Sequence, residues 1–245
     1  MLRKKPIFSA IALIALSTTQ SQAALVGFWE LDETSGSTAV DSSGNGVSGT
    51  LVNGPSVGQT AVHPSLGTAY RFNGSNQEIN LGNTYNTLTS SLTLSAWINP
   101  DDTVGIQRIF SSSTGPGWGF GLNGANLRFT TFGVKDYNFT LGTPIIAGEW
   151  THLAVTFDAS FDAEFFVDGV SQGTITGSAA ASTGTGVYRI GSRNGENYDG
   201  FIDEVRLYNE VLNDTQIAAL AVVPEPSSIM LLSLGCLALT QRLRR

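Results

Sequence analysis

Short segments in which apolar and polar residues alternate run through most of the chain, and clusters of Gly, Asn, Ser and Asp separate them. The segment SLTLSAWIN (91–99) is one example, and WTHLAVTFD (150–158) is another. Successive side chains of a β-strand point to opposite faces, so a period of two is typical of strands with one buried face. The pattern therefore predicts an all-β fold, a sandwich or barrel of many short strands.

Turn and cap signals indicate where some of these elements end. AEFFVDGVSQG (163–173) predicts a hairpin that turns at Asp168-Gly169, because this dipeptide favours the type I′ turn of two-residue hairpins. VYRIGSR and FIDEVRLYN predict two late strands. LNDTQIAAL (212–220) predicts a short C-terminal helix, with Asn213 as the N-cap and Gln216 three residues later, as in a capping box.

The composition agrees with short strands and tight turns, and it argues against internal disulfides and zinc sites. The 245 residues include 28 glycines, and charged residues make up 13% of the chain, against a usual charged share of about 25%. Cys236 is the single cysteine, so no internal disulfide can form. With only His63 and His152 and no cysteine pair, a zinc site is not expected.

Both ends of the chain have the pattern of processing signals. MLRKKP is basic, IFSAIALIAL is apolar and SQA ends in small residues, so we predict a signal peptide over 1–23 that is cleaved after Ala23. At the other end, Pro224, Glu225 and Pro226 precede an apolar run at 229–240 and a terminal arginine cluster. A stable membrane span needs about 20 residues, so this run predicts a hydrophobic helix that anchors the chain weakly at the inner membrane.

The order Pro-Glu-Pro, apolar helix and arginine cluster resembles the PEP-CTERM sorting signal of Gram-negative bacteria. This resemblance implies that an exosortase membrane protease removes segment 222–245, in organisms that build exopolysaccharide. Removing both ends takes three basic residues from each and one acidic residue, Glu225, which leaves 7 basic and 19 acidic residues in 24–221 and a net charge of −12. Such a domain is expected to repel nucleic acid and anionic lipid.

The segments of the central domain also resemble, in their order, the LamG-like domains of the concanavalin A-like superfamily. The resemblance implies a jelly-roll sandwich of two packed antiparallel sheets over 24–221. With the signals described above, the expected fold is all-β, with a short C-terminal helix and hydrophobic helices at both termini. The matching stretches are FWELDETSGSTAVDSSGNGVSGTL, AYRFNGSNQEINLG, LTLSAWINP, GEWTHLAVTFD, FFVDGVSQG and YDGFIDEVRLYNEVLNDTQIAAL.

Carboxylates in two segments invite comparison with sugar-cleaving enzymes. A glycosidase needs two carboxyl groups on one side of a cleft, roughly 5 to 9 Å apart. Asp203 and Glu204 are neighbours in a predicted strand, so alternation points them to opposite faces, and we expect Glu204 to pair with Arg206 or to face solvent. ELDET (30–34) has a threonine where the Glu-x-Asp-x-Glu pattern of related glucanases would have its last acid. We therefore expect no catalytic residues.

Calcium is the one cofactor that the sequence leaves open, because Asp, Asn and backbone oxygens are its usual ligands. DSSGNG (41–46) imitates the first half of an EF-hand loop, but Val52 stands where the loop needs Glu, so a polar turn is the alternative. Some members of the superfamily carry a calcium ion. That resemblance implies that the calcium ligands here would be Asp41, Asn73, Asp199 and Asp203.

Sugar binding usually requires an aromatic platform with polar groups at its rim. GPGWGFGLNG (115–124) places Trp118 on the face of Phe120 and Leu122 and leaves glycines on the other face. A glycine face admits either a ligand or a bulky neighbour, and we expect the neighbour to be Trp97 or Trp150.

Two tyrosines lie in polar, loop-like segments, where an exposed ring would make a better platform. The candidate ligand-binding residues are Trp118, Tyr137 and Tyr198. Trp29, Trp97 and Trp150 sit in segments that resemble the structural skeleton of the family, so we expect them in the core. His152 lies in mid-strand, where a hydrogen-bonded structural role is expected.

Together these features predict an exported, non-enzymatic binding or adhesion module of the cell envelope, surface or extracellular matrix. Exopolysaccharide or another envelope glycan is the leading ligand. Two alternatives stay open: a structural matrix protein that contacts other proteins, and a glycoside hydrolase, against which the missing acid triad argues.

Overall fold

The computed structural model of the protein describes residues 24–223. The predicted signal peptide, the sorting motif at Pro224, Glu225 and Pro226, and the hydrophobic helices predicted at both termini lie outside the described residues. In the part of the chain that is described, no helix has the length and apolar character needed to cross a membrane.

Strands dominate the described residues, as the alternating segments predict, and one helix closes them. In chain order the elements are β1 (Leu25–Trp29), β2 (Thr38–Ala39), β3 (Gly49–Val52), β4 (Ser56–Thr60), β5 (Thr68–Asn73), β6 (Glu78–Asn80), β7 (Leu92–Pro100), β8 (Ile106–Ser112), β9 (Trp118–Asn123), β10 (Asn126–Thr131), β11 (Lys135–Phe139), β12 (Thr151–Phe157), β13 (Ala163–Val167), β14 (Val170–Ile175), β15 (Tyr188–Ile190), β16 (Asp199–Tyr208) and α1 (Asp214–Leu220). Short 3₁₀ turns lie at Pro64–Leu66 and Thr84–Thr87.

The strands form two antiparallel sheets. Sheet A has the order β14-β13-β12-β7-β16-β5-β4, and β1 pairs with β16 beside it. Sheet B has the order β11-β10-β9-β8-β15-β6-β3-β2. Neighbours in each sheet come from distant parts of the sequence as well as from hairpins, as in a jelly roll. The predicted fold class, an all-β jelly-roll sandwich of two antiparallel sheets with a short C-terminal helix, is confirmed.

The hydrophobic core lies between the two sheets and is rich in aromatic rings. Phe129 of sheet B packs against Phe157 of sheet A, with ring centroids 5.0 Å apart, and Trp29 of β1 packs against Phe110 of β8 at 5.9 Å. All four side chains are fully buried. Residues that alternate with core residues therefore point away from the opposite sheet, and we call that side of each sheet its outer face.

Local signals at the turn and at the helix are confirmed. Asp168 and Gly169 both have positive φ, 48° and 77°, as a type I′ turn requires, and they join β13 to β14. Asn213 accepts from the backbone N–H of Gln216, and the Gln216 side chain accepts from the backbone of Asn213, which completes the capping box. Helix α1 and the segment before it pack on the outer face of sheet A through Ala154, Phe166, Tyr208, Leu212 and Ile217.

A β-bulge interrupts β16 where the sequence predicts regular alternation. Asp203 lies opposite Trp97 of β7, but the next paired residue is Arg206, opposite Ser95, so β16 carries one extra residue. Glu204 within the bulge has a φ of +53°. The prediction that alternation alone separates Asp203 from Glu204 is wrong for this reason.

Candidate functional site

The three aromatic residues predicted to bind ligand are all fully buried. Trp118 stacks on Phe110 at 5.3 Å and donates its indole N–H to the carbonyl of Leu88 at 2.7 Å. Tyr137 lies on β11 with its ring in the core, and Tyr198 is enclosed just before β16. The expected exposure of the two tyrosines is wrong, and a ring without exposed surface cannot stack on a sugar.

The other tryptophans divide between the core and the surface. Trp29 is a core residue, as expected. Trp97 is 7% exposed but lies on the outer face of sheet A, opposite Asp203. Trp150 is only half-buried and contacts Phe201, with ring centroids 6.0 Å apart, so its expected core position is wrong.

His152 is structural, but its ring is not hydrogen-bonded as expected. The ring packs edge-on against Trp97 at 5.5 Å, and neither ring nitrogen has a hydrogen-bond partner among the described residues. Burial, assisted by the charge of Arg206, lowers the pKa of His152 to about 3, so the ring is neutral. The bonds with Asp168 use the His152 backbone alone.

The predicted calcium ligands are not assembled into one site. Asp41 accepts backbone N–H bonds from Phe28, Ser43 and Val47, so it holds the polar turn that was the alternative to a metal loop. Asn73 and Asp199 are cross-strand partners, where β5 pairs with β16. Within residues 24–223, no group of three or more His, Cys, Asp or Glu side chains has the arrangement of a metal site.

Asp203 and Glu204 are too deeply buried to contact a substrate. Asp203 is fully buried and accepts from the Glu204 backbone N–H at 2.9 Å, while Glu204 forms the expected ion pair with Arg206. Burial and the charge of Glu204 raise the pKa of Asp203 to about 9. A buried, protonated carboxyl beside an ion-paired one is not the open pair that a glycosidase presents to its substrate.

The glycine face of β9 lies on the outer face of sheet B. Arg108 of β8 and Arg128 of β10 both pair with Gly121, one from each side, so two arginines flank a residue without a side chain. A Cβ on Gly119 would lie 2.6 Å from the Ser111 hydroxyl and 3.2 Å from Cζ of Phe132. The bulky neighbour that the glycines admit is therefore Phe132, not Trp97 or Trp150.

The two arginines and Phe132 line a groove of about 470 Å³ on the outer face of sheet B. We call it the arginine groove, and its lining residues are Ile106, Arg108, Arg128, Thr130, Thr131, Phe132, Gly133, Val134, Lys135, Asp136, Arg193 and Glu196. Sheet B supplies most of them, and the loop between β15 and β16 supplies the last two. The groove is open to solvent and holds both charges and an aromatic ring, as a site for a polar ligand requires.

Two ion pairs fix the walls of the arginine groove. Arg108 is 2% exposed; its Nε donates to Glu196 at 2.7 Å and its Nη1 donates to the Thr130 hydroxyl at 3.1 Å. Arg128 pairs with Asp136. These contacts hold the two arginines in place before any ligand arrives, which lowers the entropy cost of binding.

The half-buried ring of Phe132 supports two guanidinium groups. Cζ of Arg193 lies 3.5 Å from the ring centroid and Cζ of Arg108 lies 5.2 Å from it. Both distances are within the range of about 6 Å for cation–π contacts. Phe132 is therefore the nearest support of Arg193 and adds to the hydrogen bonds that hold Arg108.

A second groove, of 430 Å³, lies beside Tyr85 and contains no charged residue. Its lining is Val26, Asn45, Val47, Thr84, Tyr85, Thr87, Leu88 and Asn209. Tyr85 is 4% exposed, and its hydroxyl donates to the Val26 carbonyl at 3.1 Å, so the only ring in this lining has neither face nor hydroxyl free for a sugar.

Sequence reasoning missed the arginine groove because its residues come from three separate segments. One signal was present: Arg128, Thr130 and Phe132 share a face in LRFTTF, opposite Leu127 and Phe129. Another was the position of the cations, because four of the seven basic residues of 24–221 are the groove residues Arg108, Arg128, Lys135 and Arg193.

The fold and the groove define a jelly-roll sandwich with a ligand-sized site on the outer face of one sheet. The family model of the concanavalin A-like lectin/glucanases superfamily matches residues 73–218, more than half of the chain. The chain belongs to this superfamily. A model of the PEP-CTERM protein-sorting motif matches residues 222–245, and this motif marks the protein for export across the inner membrane to the cell surface or the extracellular space.

Solved structures with the same fold come from proteins of several kinds. Domain 4 of AbnA, an extracellular arabinanase from Geobacillus stearothermophilus solved with arabinotriose, has a TM-score of 0.64 and 24% identity, covering 82% of this chain and 100% of that one. The binding domain of Paraclostridial Mosquitocidal Protein 1 has a TM-score of 0.61 and 17% identity, covering 81% and 52%. Trypanosoma rangeli sialidase, solved with sialic acid, has a TM-score of 0.58 and 18% identity, covering 81% and 32%.

The chain thus spans about half of that binding domain and about a third of the sialidase. No curated protein sequence matches the chain. At these identities the similarity shows the fold alone.

Proposed function

We propose that the protein is an exported binding module without catalytic activity, and that it recognises an envelope glycan. The exopolysaccharide of the producing bacterium is the leading ligand. The observation that carries this proposal is the arginine groove, an open site of 470 Å³ with a half-exposed ring and charged donors. Ligand sites in proteins usually measure about 300–1,000 Å³.

The groove offers both kinds of contact that a sugar uses. The Phe132 ring presents apolar surface to the C–H face of a pyranose or furanose ring. Arg193 and Arg128 are half-buried at the groove, and each guanidinium carries five N–H donors for hydroxyl and ring oxygens.

Catalysis is disfavoured by the state of the carboxylates in the groove. Glu196 is engaged by Arg108 and Asp136 by Arg128. Hydrolysis of a glycosidic bond needs one carboxyl group that gives a proton and another that attacks or activates water. Two ion-paired carboxylates do not provide the proton donor, which supports a binding role for this site.

The comparisons support the glycan by analogy. One structural relative was solved with arabinotriose and another with sialic acid. The sorting motif also resembles signals found in organisms that build exopolysaccharide. We further propose that an exosortase-type protease removes segment 222–245 after transient anchoring in the inner membrane, and that calcium is the one candidate cofactor.

The test is a calorimetric titration of residues 24–221 with the purified exopolysaccharide of the producing bacterium, in calcium-containing buffer. This segment contains every strand, the helix and both core clusters of the described structure. Saturable binding is expected, and it should weaken in Phe132→Ala. The proposal fails if the polysaccharide gives no heat and does not compete with any labelled glycan.

A further inference from the structure

The arginine groove concentrates positive charge in an acidic domain. Arg108, Arg128, Lys135 and Arg193 are four of the seven basic residues of 24–221, and only Asp136 and Glu196 oppose them in the lining. Arg108 and Arg128 are paired with Glu196 and Asp136, and the ammonium of Lys135 points away to the Thr176 carbonyl. Arg193 therefore gives the groove a surplus of one positive charge within a domain whose net charge is −12. A cationic cleft in such a domain concentrates anions locally and excludes cations.

The surplus belongs to Arg193. Among the described residues, no carboxylate pairs with Arg193; its contacts are the Phe132 ring at 3.5 Å and a long bond to the Gly115 carbonyl at 3.5 Å. Lys135 donates to the Thr176 carbonyl and lies 4.9 Å from the centroid of the Tyr137 ring.

The stacking on Phe132 leaves the edge of the Arg193 guanidinium available. A cation–π contact uses the flat face of the group, whereas its N–H donors point outward in its plane. A planar fork of this kind matches the two oxygens of a carboxylate or a sulfate. The buried Nε atoms of Arg128 and Arg193 have no acceptor within the described residues.

The crowding of cations also favours an anion between them. Burial lowers the pKa of Arg193, and the charge of Arg108 lowers it further. Burial lowers the pKa of Arg108 as well, and the nearby charge of Arg128 acts in the same direction against the ion pair with Glu196. An anion in the groove would relieve this repulsion.

We infer that the arginine groove recognises a monoanionic acid group on the glycan, either the carboxylate of a uronic acid or a sulfate ester. This inference rests on the proposed function, since it names the class of sugar that the same site takes. A single negative charge matches the surplus of one that Arg193 leaves, because Arg108 and Arg128 are already paired with Glu196 and Asp136.

The experiment compares three forms of the exopolysaccharide of the producing bacterium in titrations of residues 24–221. One form is native, one has its carboxyl groups reduced to alcohols, and one is desulfated, with polymer size checked by chromatography. Binding of the native form is expected to weaken about tenfold or more after one of the treatments, and the effective treatment identifies the acid group. It should also weaken with added salt.

Matched variants locate the effect in the groove. Arg193→Gln should lose about tenfold or more in affinity for the native form, and Arg193→Lys, which keeps the charge without the fork, should lose less. Arg71→Gln is the control, since Arg71 pairs with Asp101 on sheet A and should leave binding unchanged.

The outcomes separate the two proposals. Native polysaccharide that does not bind overturns the proposed function and this inference with it. If the reduced and the desulfated forms bind with the same affinity as the native form, the inference alone is overturned, because the site then binds a glycan without recognising its acid group. Equal losses in Arg193→Gln and Arg71→Gln would also overturn it.

Discussion

Phe132→Ala tests how the groove is organised, because one ring supports two arginines. The ring centroid lies 3.5 Å from Cζ of Arg193 and 5.2 Å from Cζ of Arg108. Each cation–π contact at a partly exposed site contributes about 0.5–1 kcal/mol, so the two together contribute about 1–2 kcal/mol. With the lost burial of the ring, we expect the free energy of unfolding to fall by about 1–3 kcal/mol.

Affinity should fall for a separate reason. Without the ring, Arg193 retains only its 3.5 Å bond to the Gly115 carbonyl, so the ligand must immobilise a free side chain. Ordering an arginine costs up to about 2 kcal/mol, and the expected loss is about tenfold in calorimetric affinity for the native exopolysaccharide. Thermal melts and titrations of both proteins measure the two effects.

Phe139→Ala is the matched control. Phe139 is also a half-buried phenylalanine of sheet B, but it stacks on Phe165 at 5.2 Å and lies on the core side of β11. This variant should lose a similar amount of stability and keep its affinity. The reasoning is refuted if Phe132→Ala binds as tightly as Phe139→Ala at equal loss of stability.

Four further outcomes are expected. Gly121→Ala should destabilise the fold by about 2 kcal/mol or more, since its Cβ would lie 2.0 Å from a neighbouring carbonyl oxygen. Gly142→Ala is the control and should melt like wild type, because a Cβ there would meet nothing within 4 Å. Equal melting temperatures of the two variants would contradict the prediction. The pKa of His152 is lowered from 6.5 to about 3 in the folded protein. Between pH 6.5 and 3 the histidine is protonated mainly in the unfolded state, so the stability of the wild type decreases as the pH is lowered through this range. His152→Leu should gain stability relative to wild type as pH decreases through that window in denaturant titrations, and parallel pH curves would exclude the mechanism. Millimolar calcium should raise the melting temperature of chelated protein, because an ion that binds only the folded state stabilises it, and no shift would remove calcium from the account. Mass spectrometry of the native protein should find segment 222–245 removed, whereas an intact C-terminus at Arg245 would contradict processing.

Much of the fold follows from local sequence signals because each acts over a few residues. The alternation in 92–98 and 151–157 identifies β7 and β12, and Asp168-Gly169 identifies the turn between β13 and β14. The bulge at Glu204 is not predictable in this way, since it shows itself only in the register of β16 against β7. A pairing slip of one residue changes which side chains share a face.

Burial of single aromatic residues is harder to predict than the strands. Tyr137 is flanked by Asp136 and Asn138, which favours a loop, yet these two point outward from β11 while the tyrosine points inward. KDYNF (135–139) does alternate, with Tyr137 and Phe139 on one face, but the polar residues on either side of Tyr137 favour the interpretation as a loop. Trp118 was correctly placed on the face of Phe120, and that face proved to be the core rather than the surface.

The groove itself depends on tertiary structure. Arg108 and Arg128 are 20 positions apart in sequence, and they flank Gly121 only because β8 and β10 both pair with β9. Arg193 arrives from the loop after β15. No local sequence pattern predicts that these three arginines lie close together. Their share of the few basic residues in an otherwise acidic domain is the one sequence feature that indicates a cationic site.

The central claim is that ligand occupies the arginine groove on the outer face of sheet B. The most direct measurement is an NMR titration of isotope-labelled residues 24–221 with oligosaccharides prepared from the exopolysaccharide. The account predicts that the largest backbone shifts fall on Arg128, Thr130, Phe132 and Arg193. Shifts confined to the groove beside Tyr85, or to the aromatic pair of Trp150 and Phe201 on sheet A, would contradict it.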